Sequence, residues 1–331
     1  MATISDVAAR AGVSVATASR ALNGKATVDP AMAERVLWAA EALDYRPNAL
    51  ARNLRRQETD VVALVISDVE NPFFTAVARG VEDVARAGGY SVLLCNSDES
   101  VGKEREYVRV AVQDRAAGVI ISSTGDERNT ELLRADGMPM VAVDRPAPGA
   151  PADTVLVDSR QAAAEATRHL LAQGYGRVGC ITGPEGIRTA DDRLAGYREA
   201  LREAGMDTSP HLVRRAPFKE EGAAAAARRM LDGAERPDAL LVASSSMATG
   251  VLHTMRDLAL RPGRDVGVVA FDEASWATLV DPPLSVVSQP AYDVGTTAAH
   301  LLLARIGDAE RAPETTVLSA ELVERGRSRK E

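Results

Sequence analysis

Residues 3–24 read TISDVAARAGVSVATASRALNG, and this stretch predicts two short helices joined by a tight turn. Thr3 is placed to cap the first helix, with Asp6 three residues on, where a carboxylate also suits the positive end of the helix dipole. Val7, Ala8 and Ala11 form one apolar stripe at helical spacing. Gly12 lacks a Cβ and can take the left-handed conformation that a tight turn needs. Ser14 then opens a second helix, with Ala18, Ala21 and Leu22 facing inward and Val15, Ala16 and Arg20 facing out. A helix that presents small residues and one arginine can lie deep in a DNA major groove. The alternative at this point is a surface helical hairpin with no special purpose.

The flanking sequence supports the groove reading. Asp29-Pro30 is an N-cap followed by proline at the first helical position, opening a third helix. Its stripe of Val36, Ala39, Ala40 and Leu43 can close a three-helix core. YRPNALARNLRR (Tyr45 to Arg56) follows, where Pro47 can start a short fourth helix with Leu50 and Leu54 on one side. A short isolated helix is marginal in water and is expected to form when a partner such as DNA orders it. Residues 1–57 carry eight Lys/Arg against five Asp/Glu, a net +3, on a chain of 331 residues with net charge −8. A basic end on an acidic body directs phosphate contact to that end.

The whole chain resembles the lactose-repressor (LacI/GalR) family of transcriptional regulators. TISDVAARAGVSVATASRALNG resembles the family's N-terminal signature and YRPNALARNL its hinge helix. The similarity continues through VVALVISDVENPFFTAVARGVEDVARAGGYSVLLCNSDES, DRLAGY and VVAFDEASWATLVDPPLSVVSQP, in the family's order. It implies a small all-α helix-turn-helix headpiece and an α/β, periplasmic-binding-protein-like core of two doubly wound parallel-sheet lobes. The expected boundaries are 1–46 for the DNA-binding domain, 47–59 for hinge and linker, and 60–331 for the core. The N-lobe is expected at about 60–157 and 289–316, and the C-lobe at about 158–288 and 317–331.

The residue pattern of the body agrees. Strand-like runs at Val61–Ile66, Tyr90–Cys95, Gly118–Ser122, Met140–Val143, Val178–Thr182, His211–Ala216, Ala239–Ala243 and Val266–Ala270 are expected. Helix-like segments at Phe73–Ala87, Lys103–Gln113, Gln161–Gln173, Asp192–Ala204, Gly222–Leu231 and Met247–Leu258 separate most of them. Such alternation argues for parallel sheets covered on both faces. Ligands of these sheets bind at the carboxyl ends of the strands, which places a cleft between two lobes.

Candidate ligand-binding residues follow those strand ends. Asp68, Asn71, Phe73 and Phe74 come after the first strand; either Phe could stack on a sugar or base, or simply pack. The resemblance places at Arg193 an arginine that hydrogen-bonds ligand oxygens, and at Asp272 the family's ligand-binding carboxylate. A guanidinium offers a fixed fork of donors and a carboxylate can accept from two hydroxyls. Phe218, Trp276 and Gln289 are further candidates, each of which could instead pack or pair structurally.

Two positions depart from the family pattern. Where members commonly carry Asn-Asp after the strand ending at Ala243, the chain has Ser244-Ser245-Ser246, which gives up a bidentate amide and a charge. Where the purine-responsive relatives carry an arginine after Gly183-Pro184, alignment puts Ile187, with Arg188 beside it. The serines point to a roomier pocket or to a ligand other than a typical hexose or pentose, and Ile187 argues against a purine; a sugar or sugar derivative as small-molecule effector is what the resemblance implies.

The resemblance also implies a homodimer on a pseudo-palindromic double-stranded DNA operator. Val15, Ala16 and Arg20 are expected at base edges. Ser14, Thr17, Ser19, Asn23 and Asn48 are expected at phosphates. Leu50, Ala51 and Leu54 are expected to enter the minor groove at a central CG step. The short polar tail after Gly326 has no leucine heptads, so a dimer rather than a tetramer is expected.

Other classes find little support. The four histidines are scattered and no metal-ligand spacing or cofactor motif is present. The Gly183-Pro184-Glu185-Gly186 loop lacks the Lys-Ser/Thr of a phosphate-binding loop, and there is no G-x-S-x-G elbow, so an enzyme is not expected. Cys95 and Cys180 are 85 residues apart in apolar runs and are expected to be buried thiols. There is no apolar signal segment and no run of membrane-spanning length, so the expectation is a soluble cytoplasmic protein with no membrane partner. The basic headpiece also counts against a periplasmic sugar receptor.

Overall fold

The structure is a computed structural model that describes residues 2–22, 27–45, 59–149, 151–233 and 235–325. The chain divides into two compact units, residues 1–59 and 60–331. In the first, α1 (Ile4–Ala11), α2 (Val15–Leu22) and α3 (Pro30–Ala42) enclose a small core of Val7, Ala8, Ala11, Ala18, Ala21, Val36, Ala39 and Ala40. The local chemistry explains the boundaries. The Thr3 hydroxyl accepts from the Asp6 amide while the Asp6 carboxylate accepts from the Thr3 amide at 2.8 Å, a complete capping box. Gly12 ends α1 at φ +68°, a conformation that costs a residue with a Cβ. Asp29 caps α3 through the Met32 amide at 3.1 Å.

In the second unit each lobe is built on a six-stranded sheet. The N-lobe sheet has the order β11-β5-β4-β3-β1-β2 and is parallel throughout. Its strands are β1 (Val61–Ile66), β2 (Ser91–Asn96), β3 (Gly118–Ile121), β4 (Met140–Val143), β5 (Asp153–Val157) and β11 (Thr315–Leu318). The C-lobe sheet has the order β12-β10-β9-β8-β6-β7. It contains β6 (Val178–Thr182), β7 (Val213–Arg215), β8 (Ala239–Val242), β9 (Gly267–Phe271), β10 (Ser285–Ser288) and β12 (Glu321–Val323). β12 runs antiparallel to β10, the one departure from the parallel pattern within the described sheet pairs.

Apolar clusters fill both faces of each sheet. On the N-lobe, α4 (Pro72–Ala87) and α11 (Ala291–Gly307) pack on one face, and α5 (Val101–Gln113) and α6 (Glu127–Ala135) on the other. On the C-lobe, α7 (Ser159–Ala172) pairs with α8 (Arg188–Glu203), and α9 (Glu220–Leu231) with α10 (Ser245–Asp257). α4 and α11 approach closely because Gly80 and Gly295 sit at their crossing. A Cβ on either would collide with backbone of the other helix, at Tyr292 or Val77.

The chain crosses between lobes at residue 158, at 289–290 and at 319–320, where strands of one sheet end and elements of the other begin. β11 runs to Leu318, two residues beyond the lobe boundary expected after 316. His211–Ala216 is not one strand: Pro210–Leu212 is a 3-10 turn and only Val213–Arg215 is extended. α8 begins a turn earlier than expected, at Arg188. Both cysteines are buried, and burial raises both thiols, Cys180 to about 12, so neither is a ready thiolate.

Candidate functional site

In the N-terminal unit, α2 leaves Val15, Ala16 and Arg20 exposed and buries Ala18 and Ala21 against α1 and α3. The outward face is therefore short apolar side chains and one cation. The Ser14 hydroxyl accepts from the Thr17 amide at 3.1 Å and lies 2.8 Å from the Thr17 hydroxyl. It thus caps the helix and fixes both hydroxyls at its N-terminus, where unpaired amides and the helix dipole favour a phosphate. Ser19 is half-buried. Asn23, Asn48, Leu50, Ala51 and Leu54 lie outside the described residues.

In the second unit a cavity of about 320 Å³ lies between the lobes. That is at the small end of the range for ligand pockets. In each sheet the strand order reverses beside the first strand, β1 in one and β6 in the other. The cavity collects loops from these strand ends, as open α/β sheets require. Asp68, Asn71, Phe73 and Phe74 reach it from the loop after β1 and the start of α4. Arg193 comes from α8, Phe218 from the loop after β7, Ser244 from the end of β8, Asp272 from the end of β9, and Gln289 from a crossover.

Trp276 does not line the cavity. It belongs to a 3-10 turn, Ser275–Thr278, and packs half-buried against the C-lobe core.

Arg193 and Asp272 form the floor. Arg193 is only 4% exposed. Its Nη1 donates to the Ala243 carbonyl, its Nε to Ser159 Oγ at 3.3 Å, and its guanidinium carbon sits 4.2 Å from the Phe271 ring centroid. Burial lowers its pKa and Asp272 opposes that shift. Asp272 is 3% exposed and held at φ +71°, a strained conformation for a residue with a Cβ. It accepts from Gln289 Nε2 and, at 3.5 Å, from Asn71 Nδ2 across the cleft. Burial raises its pKa against the opposing pull of Arg193 and Gln289. Phe73 and Phe74 meet edge to face at 5.1 Å, forming an apolar corner beside these charges. Ser244 lines the cavity, but its hydroxyl accepts from the Met247 amide at 3.2 Å and caps α10. Ile187 lines the cavity, whereas Arg188 is exposed and pairs with Asp192 at 3.3 Å.

Sequence reasoning missed a second polar group on the wall. Asp98, Glu99, Thr124, Asp144, Arg145, Thr189 and Lys219 also line the cavity. Arg145 donates Nη2 and Nη1 to Glu99 at 2.7 and 3.1 Å, Nε to Asp144 at 3.2 Å and Nη2 to Ser67 Oγ at 3.1 Å. Burial alone would lower its pKa, but Asp144 and Glu99 together raise it. Asp144 directly follows β4, so the strand-end rule that found Asp68 also points to it. Asp98, Glu99 and Asp144 all have positive φ, as Asp272 does. Strained non-glycine residues thus gather at the mouth of the cleft.

Comparisons with known proteins agree with this architecture. Residues 3–48 match the model described as "Bacterial regulatory proteins, lacI family", and residues 167–327 match "Periplasmic binding protein-like domain". The chain is 36% identical over 307 residues to the ribose operon repressor of Halalkalibacterium halodurans, covering 92% of this chain and 91% of that protein. It is 32% identical over 336 residues to the repressor CytR of Escherichia coli (99% and 96%). It is 31% identical over 325 residues to the repressor PurR of Photobacterium profundum (98% and 97%). Among solved structures, the transcriptional regulator CelR in complex with cellobiose matches with a TM-score of 0.75 at 32% identity, over 98% of this chain and 99% of that one. The chain belongs to the LacI family of bacterial regulatory proteins. It is a DNA-binding transcriptional regulator of that family, not an enzyme.

Among the described residues no group of side chains could hold a metal ion, and no helix is long and apolar enough to cross a membrane.

Proposed function

We propose that this regulator is a cytoplasmic repressor that binds a pseudo-palindromic operator as a homodimer and responds to a neutral carbohydrate in the interlobe cleft. The observation that carries the effector reading is the buried Arg193–Asp272 floor beside the Phe73–Phe74 corner. A pyranose or furanose presents hydroxyls at its edge and C–H groups on its face, which match a donor–acceptor floor and an aromatic wall. Ile187 supplies no donor where a base edge would need one, which disfavours a purine. The cellobiose complex of CelR supports the carbohydrate class.

On DNA, Arg20 is assigned to a guanine, Val15 and Ala16 to thymine methyls, and Ser14, Thr17, Ser19, Asn23 and Asn48 to phosphates. Leu50, Ala51 and Leu54 are assigned to the minor groove. Dimerisation is supported by apolar surface on the N-lobe edge, where β2 pairs on one side only and Leu93 and Leu94 are 40% and 45% exposed. Leu279 of the C-lobe is 83% exposed.

The test is calorimetric titration of cellobiose, ribose and adenosine into the full chain and into Asp272→Asn. The expected result is heat from a neutral sugar, lost in the variant, with none from adenosine. Sugar binding that survives Asp272→Asn, or adenosine binding without sugar binding, would contradict the assignment.

A further inference from the structure

Lys219 stands just before α9 of the C-lobe, yet its partners belong to the N-lobe. Its ammonium lies 2.9 Å from Asp98, 3.1 Å from Asp68 and 3.5 Å from Glu70. Three carboxylates thus surround one ammonium. The contact is partly sheltered: the Lys219 side chain is 34% exposed and that of Asp68 only 8%. Asp98 is also held by Lys103 at 3.3 Å, so the N-lobe half is fixed before the C-lobe arrives. The other lining cations are also occupied, Arg145 by Glu99 and Asp144, and Arg193 by the Ala243 carbonyl and Ser159 hydroxyl.

We propose that Lys219 is an interlobe clasp: by bridging to Asp68 and Asp98 it holds the two lobes together across the cleft by charge, and being engaged there it disfavours anionic ligands in the site. Resting on the effector site proposed above, this narrows its ligand to one without phosphate or carboxylate. A phosphorylated sugar entering the cavity would meet five carboxylates (Asp68, Asp98, Glu99, Asp144 and Asp272) against three cations, two of which, Arg145 and Lys219, are already paired with carboxylates. It could bind Lys219 only by opening the clasp. A neutral polyol faces no such competition and can donate to the same carboxylates.

The test uses the full chain with spin labels at Arg109 on α5 and Arg229 on α9, diluted with unlabelled chain, and reads the distance between the labels without sugar or DNA. Cys95 and Cys180 are buried and do not compete for label. The wild type is expected to give one narrow distance. Lys219→Met should lengthen and broaden it, and Lys219→Arg should restore it. NaCl at about 1 M, where the screening length falls to ~3 Å, should move the wild type but not Lys219→Met. If Lys219→Met fails to fold, Asp98→Asn should produce the same lengthening. A distribution unchanged in either neutralised variant would overturn the clasp. Inorganic phosphate should leave the wild type's melting temperature unchanged; a phosphate stabilisation that Lys219→Met abolishes would make Lys219 an anion subsite instead. Because no sugar or DNA is present, a failure here is separate from a failure of the effector or operator assignment.

Discussion

Replacing Arg193 by Met should unfold the cleft floor rather than merely weaken ligand contact. The substitution keeps an unbranched stem but removes the only lining cation set opposite Asp272. It also strands the Ala243 carbonyl and Ser159 hydroxyl that the guanidinium now satisfies. Asp272 is buried, so the lost partner leaves a carboxylate in a poorly solvating site. Removing the charge that opposes a buried carboxylate, together with the donor of two buried acceptors, costs about 3–5 kcal/mol. At ~2–4 °C per kcal/mol for a body of this size, the melting temperature should fall by roughly 6–20 °C.

The loss should depend on pH with a definite sign. Burial already raises the Asp272 pKa above its ordinary 3.8, and removing Arg193 raises it further. A carboxyl whose folded-state pKa is raised destabilises most when ionised, above that pKa. The penalty vanishes below the unfolded value, where both states are protonated. The deficit of Arg193→Met relative to wild type should therefore be largest near neutrality and shrink as pH falls towards 4. Arg193→Met with Asp272→Asn should recover most of it at neutral pH. Thermal unfolding of both variants across pH is the assay. A loss below about 1 kcal/mol that does not change with pH would refute the buried-charge argument.

Further outcomes follow from the same features. Gly295→Ala places a Cβ against the Val77 carbonyl in the α4–α11 crossing and should cost about 2–3 kcal/mol of stability by denaturant unfolding, whereas Gly307→Ala, at the open end of α11, should cost little. Arg20→Ala should relax base preference at one position per half-site in a mutated-operator series, with an expected loss of about 1–3 kcal/mol there; an unchanged preference would remove Arg20 from base contact. Leu54→Ala should weaken operator binding far more than non-specific DNA binding in an anisotropy titration, and equal loss on both would count against a minor-groove role.

Much of the architecture was legible because its causes are local. Thr3 with Asp6, Gly12 and Asp29-Pro30 set helix ends through caps and one left-handed glycine, and each of those signals acts on residues no more than four away in the chain. β1, β4 and β6 are contiguous β-branched or apolar runs buried on both faces, and their observed bounds match the pattern in the sequence. Asp68, Arg193 and Asp272 were found because cleft residues follow strands or fall in a family motif.

What escaped depends on distance in the chain. β5, β10 and β12 are three to five residues long and owe their extended form to pairing with remote strands rather than to their own pattern. Lys219 looks like a helix-start residue among acids, and only the opposition of the lobes gives it Asp68 and Asp98, more than a hundred residues away. For Trp276 the sequence left lining and packing both open, and only the 3-10 turn decides: it sets the ring half-buried against the C-lobe core.

The central claim is that the exposed face of α2 reads DNA as one half of a symmetric pair. Selection of bound duplexes from a random pool by the purified full chain, followed by sequencing, tests it most directly. The account predicts a pseudo-palindrome with a guanine contact in each half-site and a central CG step. Enrichment of a single asymmetric half-site, or of no sequence at all with and without neutral sugars, would contradict it.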